Sequence, residues 1–131
     1  MMKERLREVL GLAERLLAAY SPRIVEQEAE ESRLLDGGVQ GFLRLRIETL
    51  NPRATIVLRE YWRRGSLEAY GYYVGVEGYR EWWDNRPHHP EVETHPHHRH
   101  VGGEILPLHD PCIEAFLRRV QELLERHRRH G

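Results

Sequence analysis

The residues with the clearest chemical potential lie in one segment of the chain, from Trp82 to His100. This segment contains six of the nine histidines and an Asp-Asn pair that directly follows two tryptophans. Histidine ordinarily exchanges a proton near neutral pH, and its imidazole also binds transition metals. A packed core does not concentrate histidine in this way. We therefore expect the function to reside in this segment and the rest of the chain to act as its scaffold.

One chemistry that suits the segment is acid–base cleavage of RNA through its own 2′-hydroxyl. The reaction needs a base, an acid and cations that hold the phosphate, and two histidines can fill the first two roles. Asp84 would orient one imidazole, and Asn85 would contact the substrate. The candidate catalytic residues are Asp84, Asn85, His89, His97, His98 and His100. The candidate substrate-binding residues are Trp83, which could stack on a base, together with His88, Arg80 and Arg99.

The same histidines offer a second chemistry, which is metal binding. Alternate residues of an extended chain share a face, so His95 could pair with His97, and His98 with His100. Two such pairs would suit zinc or another transition metal. The acid–base hypothesis needs no cofactor. A third interpretation is a solvated loop whose Pro-His steps have no chemical role, but the clustering of six histidines favours a functional site.

The overall composition restricts the class of protein. A chain of 131 residues suits one domain that spans residues 1–131, and its net charge of -1 gives no whole-chain basic signature of nucleic-acid binding. The single cysteine, Cys112, excludes an internal disulfide and a cysteine-rich zinc site. No apolar stretch is long enough for a signal peptide or a membrane span. We therefore expect a soluble, cytoplasmic protein.

The spacing of apolar residues predicts a helix followed by a meander of strands. Apolar residues three and four positions apart predict an amphipathic helix over 3–20. Alternating side chains predict successive strands, and their approximate ranges are 40–50, 54–62, 67–76 and 79–84. Residues 23–35 are compatible with a helix that begins at Ser21-Pro22 or with an acidic edge strand. We favour the strand because Asp36-Gly37-Gly38 is a hairpin signal.

The residues after the histidine segment are expected to lead into a second helix. Residues 101–103, Val-Gly-Gly, interrupt the chain, and residues 104–107 are expected to form a short extended link. Asp110 and Pro111 predict the N-cap and first residue of an amphipathic helix that ends in a basic run, Arg126 to His130. The predicted class is α+β, with an N-terminal helix, an antiparallel meander of about five to six strands, and a C-terminal helix packed on the sheet.

Two motifs in the histidine segment resemble the paired signature of a known family. They are W-D-N-R-P-H-H at 83–89 and H-P-H-H-R-H at 95–100. Together they resemble the TumE-type toxins of bacterial and archaeal toxin–antitoxin operons, and the order of elements is similar over most of the chain. The resemblance implies a small intracellular toxin neutralised by a cognate antitoxin, which often binds DNA through a helix-turn-helix. Ribonuclease activity is the commonest activity of such toxins.

These observations lead to two hypotheses of different classes. The first is a toxin of a type II toxin–antitoxin system that acts as a metal-independent ribonuclease through histidine chemistry in residues 82–100. The second is a non-enzymatic metal-binding or partner-docking module that uses the same histidines. The single-site mechanism requires the half at 84–89 and the half at 97–100 to converge on one face. RNA and the antitoxin are the expected partners, a membrane is not, and a homodimer through an edge strand is compatible with the meander.

Overall fold

Seven antiparallel strands form one sheet in which each strand pairs with its neighbours in the chain. The computed structural model describes residues 1–129. The elements are, in order, α1 (Met2–Leu16), a 3₁₀ turn (Ala18–Tyr20), β1 (Arg23–Arg33), β2 (Val39–Leu50), β3 (Arg53–Arg63), β4 (Ser66–Val76), β5 (Tyr79–Asp84), β6 (His98–Val101), β7 (Glu104–Pro107) and α2 (Ile113–His127). The predicted α+β class is confirmed, with seven strands in place of five to six.

Both helices pack on one face of the sheet, here called the helix-covered face. Side chains alternate along a strand, so every second residue of the central strands points to this face, as Leu43, Ile56 and Val74 do. These side chains are buried in one core with apolar residues of the helices, such as Val9 of α1 and Phe116 of α2. In the described part of the chain no helix covers the other face, here called the open face.

A buried glutamate fastens α1 to the sheet. Glu60 of β3 lies on the helix-covered face, where its carboxylate accepts two hydrogen bonds from the Arg5 guanidinium of α1, at 2.8 and 2.7 Å. The Tyr72 hydroxyl and the Trp62 indole nitrogen also donate to this carboxylate, at 2.6 and 2.8 Å. These donors lower the pKa of Glu60 although burial opposes them. The buried charge is therefore fully paired and fixes α1 against β3 and β4.

A second buried glutamate fastens α2 in the same way. Glu81 of β5 accepts hydrogen bonds from the Arg119 guanidinium of α2, the nearest at 3.1 Å, and from the Tyr79 hydroxyl at 2.6 Å. The Trp83 indole nitrogen donates to the other oxygen at 2.9 Å. Each glutamate thus has an arginine from one helix, a tyrosine, and a tryptophan two residues further along its own strand. This network holds β5, the strand that carries Asp84, under α2.

The N-terminal part of the chain follows the predictions closely. The predicted helix over 3–20 is present as α1 and the 3₁₀ turn, because the regular helix ends at Leu16. Residues 23–33 form an edge strand, so the strand interpretation of 23–35 is confirmed. At the other end α2 stops at His127, and His130, the last residue of the predicted basic run, lies outside the described residues.

The segment after His97 differs from the prediction. Residues 98–101 and 104–107, expected as loop and extended link, form the hairpin of β6 and β7. Gly102 and Gly103 have φ values of 55° and 82°. A two-residue turn with positive φ at both positions matches the twist of the flanking strands, and glycine adopts it without steric cost. The histidine segment therefore ends inside the sheet, where β6 pairs with β5.

The start of α2 is also displaced from the prediction. Asp110 and Pro111 precede the helix, and Cys112 is the N-cap. Its backbone is extended, at φ -105° and ψ 156°, and its Sγ accepts a hydrogen bond from the Ala115 amide at 3.4 Å. The helix begins at Ile113, whose side chain is buried in the core, so packing rather than the preferred capping residue sets the boundary.

Candidate functional site

Pairing between β5 and β6 brings together the two halves of the histidine segment on the open face. In this ladder Asp84 is opposite His98, and Trp82 is opposite His100. His98 Nε2 lies 3.0 Å from Asp84 Oδ1, and His100 Nε2 lies 3.5 Å from Asp84 Oδ2. The carboxylate therefore contacts two imidazoles from alternate positions of one strand.

The pair formed by His98 and Asp84 is almost fully enclosed, since His98 is 2% exposed and Asp84 is 8% exposed. His98 Nδ1 lies 2.9 Å from the Pro96 carbonyl oxygen. A carbonyl oxygen only accepts, so Nδ1 donates this hydrogen bond. The contact between Nε2 and the carboxylate joins the other side of the ring to Asp84. This enclosed pair is suited to orient its neighbours.

His100 is the partly accessible member of this pairing, with a side chain that is 18% exposed. Its ring stacks on Trp82, with centroids 4.5 Å apart and an interplanar angle of 13°. Burial lowers the pKa of His100 from its ordinary value, and the nearby His98 and His89 lower it further, whereas Asp84 raises it. An imidazole with a lowered pKa is deprotonated at neutral pH and can accept a proton.

His89 reaches the same place from the loop between β5 and β6. Its ring makes edge contacts with the rings of His98 and His100, at centroid distances of 4.9 and 5.8 Å. The His89 side chain is 25% exposed, and its Nδ1 lies 3.3 Å from Glu91. The predicted convergence of the two half-sites thus occurs for Asp84, His89, His98 and His100, which are here called the histidine cluster.

Local hydrogen bonds explain how this proline-rich loop holds His89 in place. Val92 is 9% exposed, and its amide donates to the His89 carbonyl at 3.2 Å. The Thr94 hydroxyl donates to the His97 carbonyl at 2.6 Å and accepts from the Leu108 amide at 2.8 Å. The loop is therefore tied to itself and to the residues after β7, so it is an ordered support rather than a solvated tail.

Three predicted residues of the segment lie beside the cluster and make other contacts. The Asn85 amide group bonds the main chain of β4, including the Tyr70 amide at 3.1 Å. His97 Nδ1 lies 2.9 Å from the Tyr70 hydroxyl, and burial lowers the pKa of His97. His95 is exposed, with Nδ1 3.2 Å from the His89 carbonyl. These contacts position the ends of the loop.

The predicted substrate-binding residues divide between the two faces. Trp83 is buried on the helix-covered face, where its indole donates to Glu81. Arg99 shares that face and lies 3.9 Å from Glu81. His88 is exposed on the loop, and Arg80 is exposed on the open face. Of these four, only Arg80 has a side chain on the strand face that carries the histidine cluster.

A groove on the open face adjoins the cluster at Asp84. Its volume is about 790 Å³. Its lining includes Arg44, Arg59, Tyr61, Tyr73, Arg80 and Trp82. Sequence reasoning missed Arg44, Arg59 and Tyr61 because alternating polar residues on a strand are usually a solvated face. The available signal was their place in the alternation of each strand, since each residue occupies a position whose side chain points away from the core.

The cluster also satisfies a geometric requirement for a transition metal. One possible ligand atom from each of His89, His98 and His100 lies within 4.8 Å of the others. Imidazole nitrogens with a neighbouring carboxylate form a donor set that suits zinc. The bond from His98 Nδ1 to Pro96 resembles the outer contact that orients metal-binding histidines. Of the four predicted metal ligands, His98 and His100 belong to this group, and His95 and His97 do not.

The fold and the site define an α+β protein with an enclosed Asp-His pair beside an open sheet face. A family model described as Toxin TumE matches residues 13–127, so the chain belongs to the TumE toxin family. This match confirms the resemblance carried by the motifs at 83–89 and 95–100 and identifies a toxin that has an antitoxin partner. No curated protein and no solved structure matches the chain. Among the described residues, no helix has the length and apolar character needed to cross a membrane.

Proposed function

We propose that this toxin is a metal-independent ribonuclease that cleaves RNA through the 2′-hydroxyl. The observation that carries the proposal is the histidine cluster, in which two partly exposed imidazoles surround an enclosed Asp-His pair next to a groove lined by arginines. Acid–base cleavage of RNA needs two proton-transfer groups on either side of one phosphate. The 5.8 Å between the ring centroids of His89 and His100 suits that arrangement.

Exposure separates the two imidazoles that RNA can reach, His89 and His100, from the enclosed pair, and the lowered pKa of His100 suits it to the role of base. His100 accepts the proton of the 2′-hydroxyl, and the 2′-oxygen then forms a bond to phosphorus. The bond from phosphorus to the 5′-oxygen breaks as His89 donates a proton to that oxygen. The products are a 2′,3′-cyclic phosphate and a free 5′-hydroxyl, so no water is consumed. The buried pair of His98 and Asp84 positions the two reacting imidazoles and does not itself contact RNA.

Arginines of the groove supply the positive charge that this step needs. Arg80 and Arg86 are exposed and line the groove that contains Asp84, and the described residues offer neither of them a carboxylate partner. Arg80 and Arg86 fill this role without the predicted Arg99, because the Arg99 side chain is directed to the opposite face. Arginine binds phosphate through two parallel hydrogen bonds, which both places the phosphate and stabilises its developing charge.

The test is cleavage of single-stranded RNA by the purified chain in the presence of EDTA. We expect cleavage to persist in EDTA and to fall roughly 100-fold or more in His100→Ala and in His89→Ala. His109→Ala, an exposed histidine outside the segment, is the matched control and should cleave normally. RNA with a deoxyribose at the cut site should resist cleavage. Equal rates for His100→Ala and the unmodified chain would remove the assigned mechanism.

A non-enzymatic metal-binding module is the second candidate, and the close approach of His89, His98 and His100 favours it. Zinc would take these imidazoles as ligands, and Asp84 would complete the donor set. The discriminating measurement is the metal content of protein purified without a histidine tag. Stoichiometric zinc that is lost in His98→Ala, with no RNA cleavage by the unmodified chain, would favour this candidate. Loss of cleavage in EDTA would instead indicate a metal-dependent enzyme.

The partner assignments belong to the same proposal. The antitoxin is expected to bind DNA, which a mobility shift with the DNA of its own operon would test. A homodimer through β1 is disfavoured because antiparallel self-pairing of this strand would bring glutamates near one another. Light scattering of the purified toxin should therefore show the mass of one chain. If it shows a dimer instead, that dimer should persist in Ala29→Glu, which adds charge to β1, because β1 is not the interface.

A further inference from the structure

We infer that the open face of the sheet is a platform for single-stranded RNA, along which the strand is led to the histidine cluster. The inference deepens the proposed function, since it identifies the form of the substrate and the surface that holds it. It depends on the register of the strands, which arranges the side chains of this face in two parallel rows that cross the sheet.

The first row is cationic and ends at the enclosed pair. Arg44 of β2 is opposite Arg59 of β3, which is opposite Gly71 of β4, and Gly71 is opposite Asp84. Asp84 is in turn opposite His98. Two arginines and a residue without a side chain thus lie in line with the cluster. A phosphate backbone following this row would meet positive charge first and, at its end, the enclosed pair that adjoins the reacting His89 and His100.

The second row is aromatic and ends at the reacting histidine. Val57 of β3 is opposite Tyr73 of β4, Tyr73 is opposite Trp82 of β5, and Trp82 is opposite His100 of β6. Trp82 is 37% exposed although tryptophan is largely buried in most proteins. Phe42 and Tyr61 form another exposed aromatic pair on the same face, each 38% exposed. Such rings are stacking surfaces for unpaired bases.

Arg59 gives the cationic row a charge that is available to a ligand. Arg59 is exposed, and no carboxylate of the described residues lies within ion-pair distance of it. Arg44 pairs with Glu26 at the sheet edge, yet its Nε is buried and has no hydrogen-bond partner in the described structure. The Nε of Arg46 is unsatisfied in the same way. Both Nε atoms are enclosed, so a phosphate could reach only the outer nitrogens of these guanidinium groups, whose side chains are 31% exposed for Arg44 and 39% exposed for Arg46.

Gly71 gives this arrangement its shape. It lies between Arg59 and Asp84, and a Cβ built on it meets nothing within 4 Å. The gap lowers the surface at the place where the cationic row reaches the cluster. A Cβ here clashes with nothing and the atoms of a longer side chain would enter the groove, so Gly71→Leu tests the path, with urea denaturation of the variant as the check that the fold is kept.

Aromatic rings on a flat face select for single strands rather than duplexes. Bases in a duplex are stacked on each other and present only their edges, whereas unpaired bases expose the flat surface that stacks on tyrosine or tryptophan. From β3 to β5 the two rows separate the backbone and base contacts, since Arg59 lies in the first and Tyr73 and Trp82 lie in the second, whereas on β2 Arg46 is opposite Val57 and begins the second row. This separation matches a single strand lying across the sheet.

The experiment measures binding without cleavage. A fluorescent 2′-O-methyl RNA oligonucleotide lacks the attacking hydroxyl, so its anisotropy reports affinity for the intact chain at several salt concentrations. We expect Arg44→Ala and Arg59→Ala each to lower the slope of log affinity against log salt by about 0.7. Trp82→Leu should weaken binding roughly 5- to 100-fold. Gly71→Leu should weaken it as well, and the same sequence as a duplex should compete poorly.

Two controls separate this inference from the proposed function. Arg7→Ala removes an exposed arginine from α1, and His109→Ala removes an exposed histidine outside the histidine segment, and both should bind the oligonucleotide like the unmodified chain. Unchanged affinity in Arg59→Ala and Gly71→Leu overturns the platform even if RNA is cleaved. If these variants instead lose the co-expressed antitoxin, the face is a protein interface and the inference is wrong. Weakened binding in both variants, without any cleavage by the unmodified chain, supports the platform and removes the ribonuclease.

Discussion

Replacing Asp84 by asparagine removes the charge at the centre of the histidine cluster while nearly preserving its shape. Asp84 Oδ1 contacts His98 at 3.0 Å and accepts the Arg86 amide at 2.9 Å. A hydrogen bond to a charged group contributes about 1.5–3 kcal/mol, and a neutral one contributes about 0.5–1.5 kcal/mol. Because the pair is buried, the free energy of unfolding should fall by about 1–1.5 kcal/mol in Asp84→Asn, as measured by urea denaturation.

The same substitution changes the pH dependence of cleavage in a defined direction. Asp84 is the largest influence that raises the pKa of His100, against burial and the neighbouring imidazoles, which lower it. Without this carboxylate the pKa of His100 falls further. A general base works in its deprotonated form, so the acid limb of the pH profile of kcat/KM should move to lower pH. The plateau rate should also fall, because the base is weaker and less well oriented.

A matched set of variants makes the reasoning refutable. Asp84→Asn, His98→Gln and the double variant form a cycle that measures the coupling between the two enclosed groups. An acid limb that stays in place, or that moves to higher pH, would show that His100 is not the base. A coupling energy near zero would show that the pair does not act as a unit. The Asp110→Asn variant, at an exposed carboxylate, should leave both measurements unchanged.

Three further results are expected. Arg119→Met leaves the Glu81 carboxylate buried without its guanidinium partner, so urea denaturation should show a loss of about 3–5 kcal/mol, partly restored in the double variant with Glu81→Gln. Burial lowers the pKa of His97 and His100 below 6.5, so the unfolded chain binds more protons and the free energy of unfolding should fall as the pH drops below 6.5. Their joint replacement by glutamine should flatten that dependence. Added zinc should inhibit cleavage by occupying the cluster. The residual cleavage by His89→Ala should be inhibited less by zinc, because that variant lacks one of the three imidazole ligands.

Sequence patterns predicted the scaffold because most of its helices and strands are long enough for their spacing of apolar residues to be recognised. The strands from 39 to 84 alternate apolar and polar residues, and the helices carry an apolar stripe, so class, order and core face follow from periodicity. The hairpin of β6 and β7 was missed because each strand has four residues, too few for alternation to be visible. The Gly102-Gly103 sequence was the usable signal, because a glycine pair, Gly37-Gly38, had also predicted the first hairpin.

The alternation of side chains in β5 could have predicted which of its two tryptophans lies on the open face. Glu81 and Trp83 have the same parity, whereas Trp82 and Asp84 have the other, so the tryptophan that shares a face with the Asp84 carboxylate is Trp82. A buried charge needs donors, and the indole two residues after Glu81 supplies one, as Trp62 does for Glu60. In each glutamate-x-tryptophan sequence the two residues share a strand face, so the tryptophan lies on the helix-covered face with its glutamate. In β5 that rule leaves Trp82 on the open face, stacked on His100 and next to the groove, where the proposed RNA substrate would present an unpaired base to the ring.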